Sequence, residues 1–428
     1  MLSLDVRGGL NNQRECVING IIAASELNLT LLLPKLHPVG RGNEKYAPKA
    51  ASYEGRYADR KRWAHWDSLL NATAARTLLA ASGIRTRRTQ DARLAGVPQL
   101  ALPPVETVFP DCLGARMVGG TCVAQRAGAS GVRLMRGLLA RWGAIVDANR
   151  ALSAGRSGRV IFDAGGSLCW NAYGSRNKAN CTRDFPRSCG AGYAAANAWN
   201  DEVLGVQQAV HAHVRTLLRR AAAAAAAAGP ATRRVDGRVG AARAARHRWA
   251  AVHVRVFGCP AQVPGGGVAG VRAGSNRTRS RPGGNRTRNR PGGGHGGLAG
   301  RALAAAAPAA SAAADGNMRA SLEYTRSTIA RLEAEQGAPF AVLYLVSSVA
   351  VAKVQPYFPN HRLTSKDDVF PRASLRLPFE VCAAIDYGVA TSAPVYVGMR
   401  LSSFDVFAHA ERKEAELLTV MRPGGQIC

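Results

Sequence analysis

The sequence predicts an α/β fold of two Rossmann-like domains facing a cleft, and three observations predict it. Short apolar runs that read as buried strands alternate, in both halves of the chain, with segments whose apolar residues recur at helical spacing. A low-complexity break of alanine, arginine and glycine separates those halves. At 428 residues the chain also exceeds one comfortable core. The expected division is a first domain over 1–214, an alanine/arginine-rich linker over 215–247, and a second domain over 248–428.

In the opening stretch, 5–36, the strand of Leu2, Leu4 and Val6 breaks at Gly8-Gly9. Val17, Ile21, Ala24 and Leu27 then follow at helical spacing, and 29–34 reads as a second buried strand. Strand, turn, helix and strand make one right-handed βαβ unit with parallel strands. Glycines at its first turn let a bound group approach the backbone, and the helix start favours an anion, although the pair also suits an ordinary turn. Residues 37–60 read as loop and 63–83 as helical, with His65 packed beside Trp63 and Trp66. Pro98, Pro103 and Pro104 make 97–108 an irregular connection. A helix over 132–152, a strand entering a glycine turn over 159–170, a loop to Cys189 and a helix over 197–220 complete this half. His211 and His213, two apart on that helix, point to different sides.

Alanine tracts at 221–228 and 302–314 flank a tandem nonapeptide, NRTRSRPGG then NRTRNRPGG, at 276–293. This segment cannot bury a core, and an insert at about 261–316 is expected to be disordered. Before the insert, 248–260 reads as a strand entering a loop, and beyond it come a helix at 321–336 and a buried strand at 341–348. A helix ending at Asp386 and a strand at 393–397 follow. A turn at 399–404 then brings Ser402-Ser403 to the cap of a helix starting near Phe404.

The net charge of +29 suits acidic partners: nucleic acid, anionic polysaccharide or membrane. Between 215 and 301 there are 18 arginines against the single acid Asp236, so this stretch carries +17 of the total. It reads as a tether to acidic polysaccharide or RNA, or as a tolerated loop expansion; no specific nucleic acid is expected. Nine cysteines include no CxxC, and no histidine pair has zinc-finger spacing, so a metal site is not expected. Cys112/Cys122 and Cys169/Cys181/Cys189 cluster loosely, which admits disulfides of an oxidising lumen or buried free thiols. Five Asn-x-Ser/Thr triplets occur, at Asn28, Asn71, Asn180, Asn276 and Asn285. No apolar run is long and uninterrupted enough to span a bilayer.

His253 and Arg255, two apart on a strand, face one side at its carboxyl end, where open α/β sheets bind ligands. Arginine offers a permanently charged fork for a diphosphate, though a strand arginine also suits a surface ion pair. Ser402 and Ser403, at a helix start, offer hydroxyls and amides to a phosphate or serve only as an N-cap.

The string GGLNNQR, followed after a helix by LNLTLLLP, resembles the opening signature of the protein O-fucosyltransferase superfamily, which includes plant-type members and pectin rhamnosyltransferases. Register holds over Gly8, Gly9, Leu10, Asn11, Gln13, Arg14, Asn28, Thr30, Leu31 and Pro34. His253-Val254-Arg255 resembles the family's His-x-Arg motif, and Asp386, Gly398 and Ser402-Ser403-Phe404 follow its last block in order. The resemblance implies a GT-B-like, inverting, metal-independent glycosyltransferase carrying fucose from GDP-fucose to a protein or glycan hydroxyl, with no cofactor. A UDP-rhamnose enzyme, or an inactive relative that binds polyanions or glycans, are its alternatives.

By the same resemblance, Arg255 and Asn11 are the catalytic candidates. Gly8, Gly9, Asn12, Arg14, His253, Arg255, Asp386, Ser402, Ser403 and Phe404 are the candidates for binding the nucleotide sugar, and Arg412 for a further phosphate contact. The first domain becomes the acceptor side and the second the nucleotide-sugar side. Two departures stand out. Many relatives place an acid shortly after His-x-Arg, where this chain runs FGCP, and some place a glutamate where this chain has Gly8. The base is therefore Asp5, Glu15 or the departing phosphate. Relatives act in the Golgi or ER lumen and carry an N-terminal signal or anchor, so the chain is expected either to lack the start of a longer gene product, the favoured reading, or to be a cytosolic protein.

Overall fold

A computed structural model describes residues 1–6, 9–36, 66–89, 94–104, 131–153, 159–169, 178–227, 249–254, 299–347, 349–370, 379–399 and 402–422. Strand β1 (Leu2–Ser3), helix α1 (Leu10–Glu26) and strand β2 (Leu31–Leu33) form the expected βαβ unit, with Leu2 opposite Leu31 in parallel register. Helix α2 (Ala72–Ala81) follows, with Asn71 as N-cap accepting from Ala74 N at 2.9 Å. Strands β3 (Thr86–Arg88), β4 (Gln99–Ala101) and β5 (Ile161–Asp163) complete a parallel sheet in the order β3-β2-β1-β5-β4.

Strand β4 lies in the stretch expected to be irregular. Pro98 precedes it, so no ladder donor is lost, and the Pro98 carbonyl still accepts from Ile161 N at 2.9 Å. Helix α3 (Gly131–Ser153) connects β4 to β5.

The cysteine-bearing segment, expected to be loop, instead carries helices α4 (Lys178–Asp184) and α5 (Ser188–Ala196). Alanine and glycine on α5 let it lie close against α1; a Cβ at Gly192 would sit 3.3 Å from Ile18 Cγ2. Disulfides join Cys16 to Cys169 and Cys181 to Cys189. Of the two readings of those cysteines, the structure therefore has the paired one.

Helix α6 (Asp201–Ala227) runs through the boundary expected at 214 and packs on elements of the second half. The second sheet contains β6 (Trp249–His253), β7 (Val342–Val346), β8 (Arg362–Thr364), β9 (Val395–Met399) and β10 (Leu418–Arg422). All are parallel, in the order β10-β9-β6-β7-β8. Helix α7 (Ala299–Gln336) covers one face and begins inside the expected insert, just ahead of the alanine tract at 302–314, because alanine has the strongest helix propensity.

Short helices α8 (Val351–Val354) and α9 (Lys366–Val369) flank β8, the latter closed by a Ser365–Asp368 capping box. Helix α10 (Phe379–Ser392) does not end at Asp386 as expected but continues two turns further. Gly388 is a packing site: an added Cβ would fall 2.2 Å from Gln207 Cδ on α6. Helix α11 (Ser403–Glu414) follows β9.

Side chains on the second sheet alternate between two cores. Trp249, Ala251, Val342, Tyr344 and Tyr396 belong to a cluster continuous with Leu2, Ile18 and Phe162 of the first sheet. Ala250, Val252, Leu343, Leu345 and Val397 face Leu322, Ile329 and Leu332 of α7. The period of two thus places one face of the second sheet in a core shared with the first half.

Candidate functional site

Both sheets reverse their winding beside their first strand. In the first, β1 lies between β2 and β5; in the second, β6 lies between β7 and β9. Ligands of open α/β sheets bind outside the carboxyl ends at such a point. Of the residues expected to bind a nucleotide sugar, Gly9, Asn12 and Arg14 follow β1, His253 ends β6, and Ser402 to Phe404 follow β9.

His253 Nδ1 lies 2.8 Å from both carboxylate oxygens of Asp405, and Tyr396 Oη donates to Asp405 Oδ1. Asp405 is fully buried in the first turn of α11, where a negative charge is favoured by the helix dipole. Its carboxylate lies against Gly398, since a Cβ there would approach Asp405 Oδ1 to 2.8 Å. Gly398 therefore serves close packing at this turn. Burial pushes the Tyr396 hydroxyl well above its ordinary range, with the Asp405 charge adding to it, so it remains a donor. Asp405 is the residue the sequence reading missed; it directly follows Ser402-Ser403-Phe404, but its partner His253 is 152 positions away.

Ser402 is the buried N-cap of α11, yet its side chain makes no capping bond; its backbone N donates to Met399 O at 3.2 Å. Ser403 and Phe404 are partly exposed. The Phe404 ring packs 5.1 Å from His253 and edge-on, at 5.4 Å, to Tyr387 of α10. Tyr387 in turn lies under the guanidinium of Arg14, 4.3 Å from its ring centre. The sequence Arg14, Tyr387, Phe404, His253 joins the opening motif to the end of β6.

Arg14 is buried and occupied. It donates to Ala196 O at 3.2 Å, Asn11 Oδ1 at 2.6 Å, Glu411 Oε1 at 2.9 Å and Asn197 Oδ1. Burial opposes its charge, but Tyr387 and Glu411 outweigh burial and raise its pKa. These contacts bind α1 to α5 and α11. Because Asn11 Oδ1 is taken by Arg14, its Nδ2 is the amide group left over, buried with no partner. A buried unpaired donor costs about 1–3 kcal/mol. Gly9 is the N-cap of α1 with ordinary backbone angles, and a Cβ there would meet nothing within 4 Å. Asn12 is partly exposed beside it.

Asp386 is not an open recognition group. Its carboxylate accepts from Tyr344 Oη at 2.8 Å and Lys366 Nζ at 2.6 Å, and both charged partners are buried. Burial pushes the Asp386 carboxyl up against the pull of Lys366, while Asp386 holds the Lys366 ammonium above its ordinary value despite burial. Lys366 begins just past β8 and also reaches Ser347 O, at 3.4 Å, just past β7.

Arg412, expected to touch phosphate, is turned inward instead. It donates to the carbonyls of Ala390, Ala393, Pro394 and Leu418 and to Thr419 Oγ1. Gly8, Arg255, His65, Cys112, Cys122 and the arginine-rich repeat lie outside the described residues.

No family model matches the chain, and no curated protein matches it. Among solved structures the chain is similar to crystal structures of POFUT1. The apo form shares 10% identity over 99% of this chain and 97% of that one, with a TM-score of 0.40. The complex with GDP-fucose shares 10% over 98% and 97%, at 0.42. A complex with GDP shares 12% over 99% and 98%, at 0.39.

Proposed function

We propose that the protein is a metal-independent, inverting glycosyltransferase that takes fucose from GDP-fucose and transfers it to a hydroxyl of a protein or glycan. The observation that carries this reading is the His253–Asp405 pair at the switch point of the second sheet, directly beside the N-terminus of α11. Asp405 holds Nδ1 of the imidazole and fixes the ring at the end of β6, while the first-turn amides of α11 present partial positive charge to a diphosphate. Arg255, two residues past the end of β6 and outside the described residues, supplies the permanent charge that stabilises the departing diphosphate. At the start of α1, Asn11 Nδ2, which has no partner among the described residues, and a Gly9 position with no described atom within 4 Å support an approach of sugar or acceptor there.

The two disulfides support an oxidising lumen of the secretory pathway as its place of action. Among the described residues no helix is long and apolar enough to cross a membrane.

A panel of GDP, UDP, GDP-fucose and UDP-rhamnose tests the reading by thermal shift. At a hundredfold excess over Kd, a specific ligand adds about 2.7 kcal/mol of stability, a shift on the order of several degrees. GDP and GDP-fucose should shift the wild type, and Arg255→Ala should abolish both the shift and transfer of labelled fucose. A chain stabilised by UDP alone would replace fucose with rhamnose, and one stabilised by none of the four would sink the enzyme reading.

A further inference from the structure

We propose that Arg14 and Glu411 are a positioning pair, through which contact between the two halves of the molecule sets the geometry of His253 and Asp405. The inference starts from the two ends of α11. Its first turn carries Asp405, and its last turn carries Glu411, six residues or about 9 Å further along a rigid helix. Glu411 Oε1 accepts from Arg14 Nη2 at 2.9 Å and from Asn197 Nδ2 at 2.7 Å, both from the first half of the chain. Glu414 pairs with Lys178 on the same side. An acid in the last turn of a helix opposes the helix dipole, so Glu411 and Glu414 are stabilised there by partners outside α11.

A second connection runs through rings. The Arg14 guanidinium lies 5.3 Å from the Phe407 ring, 5.3 Å from Trp199 and 4.3 Å from Tyr387. Tyr387 meets Phe404, and Phe404 meets His253. One fork of donors therefore touches both the helix that carries Asp405 and the ring column that abuts His253. Displacing Arg14 rotates or shifts α11, and the 2.8 Å pairing of His253 with Asp405 follows it. Arg14 touches neither His253 nor Asp405, so its role is positioning and differs from the direct contact that the family resemblance implies.

The test uses the full chain and three variants: Glu411→Gln, which keeps shape and acceptor but removes charge; Arg14→Lys, which keeps charge but loses the fork; and the double variant. Far-UV circular dichroism identifies the variants that fold, and the near-isosteric Glu411→Gln carries the experiment should Arg14→Lys fail to fold. Two readouts are taken. The nitrogen NMR signals of His253, assigned by their loss in His253→Gln, report its pairing with Asp405 without any ligand. Affinity for GDP, by calorimetry, reports the site under the functional reading on which this part rests. The expected result is a shifted His253 signal in each folded variant and a loss of GDP affinity of about tenfold, with the double variant no weaker than the worse single one. Unmoved His253 signals overturn the proposal, as do losses that simply add. So does a Glu411→Gln variant that binds GDP like wild type while Arg14→Lys does not, because Arg14 would then be a direct ligand. Should GDP fail to bind even the wild type, the functional reading falls, and the His253 signal alone still decides the positioning pair.

Discussion

At the scale of single residues, the site is governed by which polar groups are already partnered. Asp405 is held from two sides by His253 and Tyr396, and Gly398 leaves the room that this arrangement needs. Gly398→Ala should be costly for that reason. The new Cβ would lie 2.8 Å from Asp405 Oδ1, 2.8 Å from Tyr396 Cε1 and 3.1 Å from Met421 Sδ, with Asp405 and Tyr396 bonded to each other and unable to part freely. A loss of about 1–3 kcal/mol is expected from urea denaturation, together with a displaced His253 NMR signal. A variant as stable as wild type with an unmoved signal would show that the turn after β9 yields elsewhere. His253, Ser402 and Ser403 were singled out because local pattern reveals a strand end and a helix cap, whereas Gly398 came only with the family resemblance. Asp405, Lys366 and Glu411 were not, since their partners sit 152, 20 and 397 positions away and no local periodicity encodes such pairing. Asp386 was legible as a residue of interest but not as half of a buried ion pair.

At the scale of elements, Arg412 explains how α10 can stop so close to β9. The last carbonyls of a helix have no partners within it, and here those of Ala390 and Thr391, with those of Ala393 and Pro394 just past the helix end, accept from one guanidinium. Burial lowers the Arg412 pKa to about 10, which still leaves it charged at neutral pH. Arg412→Met keeps much of the volume and removes every one of these bonds. Its expected cost is roughly 2–4 kcal/mol, read from the shift in denaturation midpoint, because buried carbonyls lose a charged donor. Unchanged stability would mean that the turn between α10 and β9 is satisfied by water. Helix existence was largely legible in the sequence: α1, α3, α6 and the end of α7 follow from apolar spacing. The short strand β4 and the helices α4 and α5 were not, because three-residue edge strands and alanine-glycine helices carry almost no periodic apolar signal.

At the scale of the molecule, the two sheets are expected to unfold as one unit. Cores from both halves merge in one apolar cluster that includes Ile18 and Tyr193 from the first and Tyr344, Tyr387 and Phe407 from the second. Helix α6 closes it: Gln207 Nε2 donates to Ala384 O at 2.9 Å, and Gly388 of α10 lies flush against that amide. Domain interfaces that move freely are more polar than this apolar cluster. Unfolding in urea should therefore be one transition, with tryptophan fluorescence and far-UV circular dichroism coincident within error. Gly388→Val tests the cause. An added Cβ already falls 2.2 Å from Gln207 Cδ, so the branched side chain displaces Gln207, breaks its bond to Ala384 and pries α6 from α10. In that variant the two probes should separate, the half that loses its cover melting first. Two transitions in the wild type, or coincident probes in a folded Gly388→Val protein, would mean that the halves are held together by contacts other than those between α6 and α10.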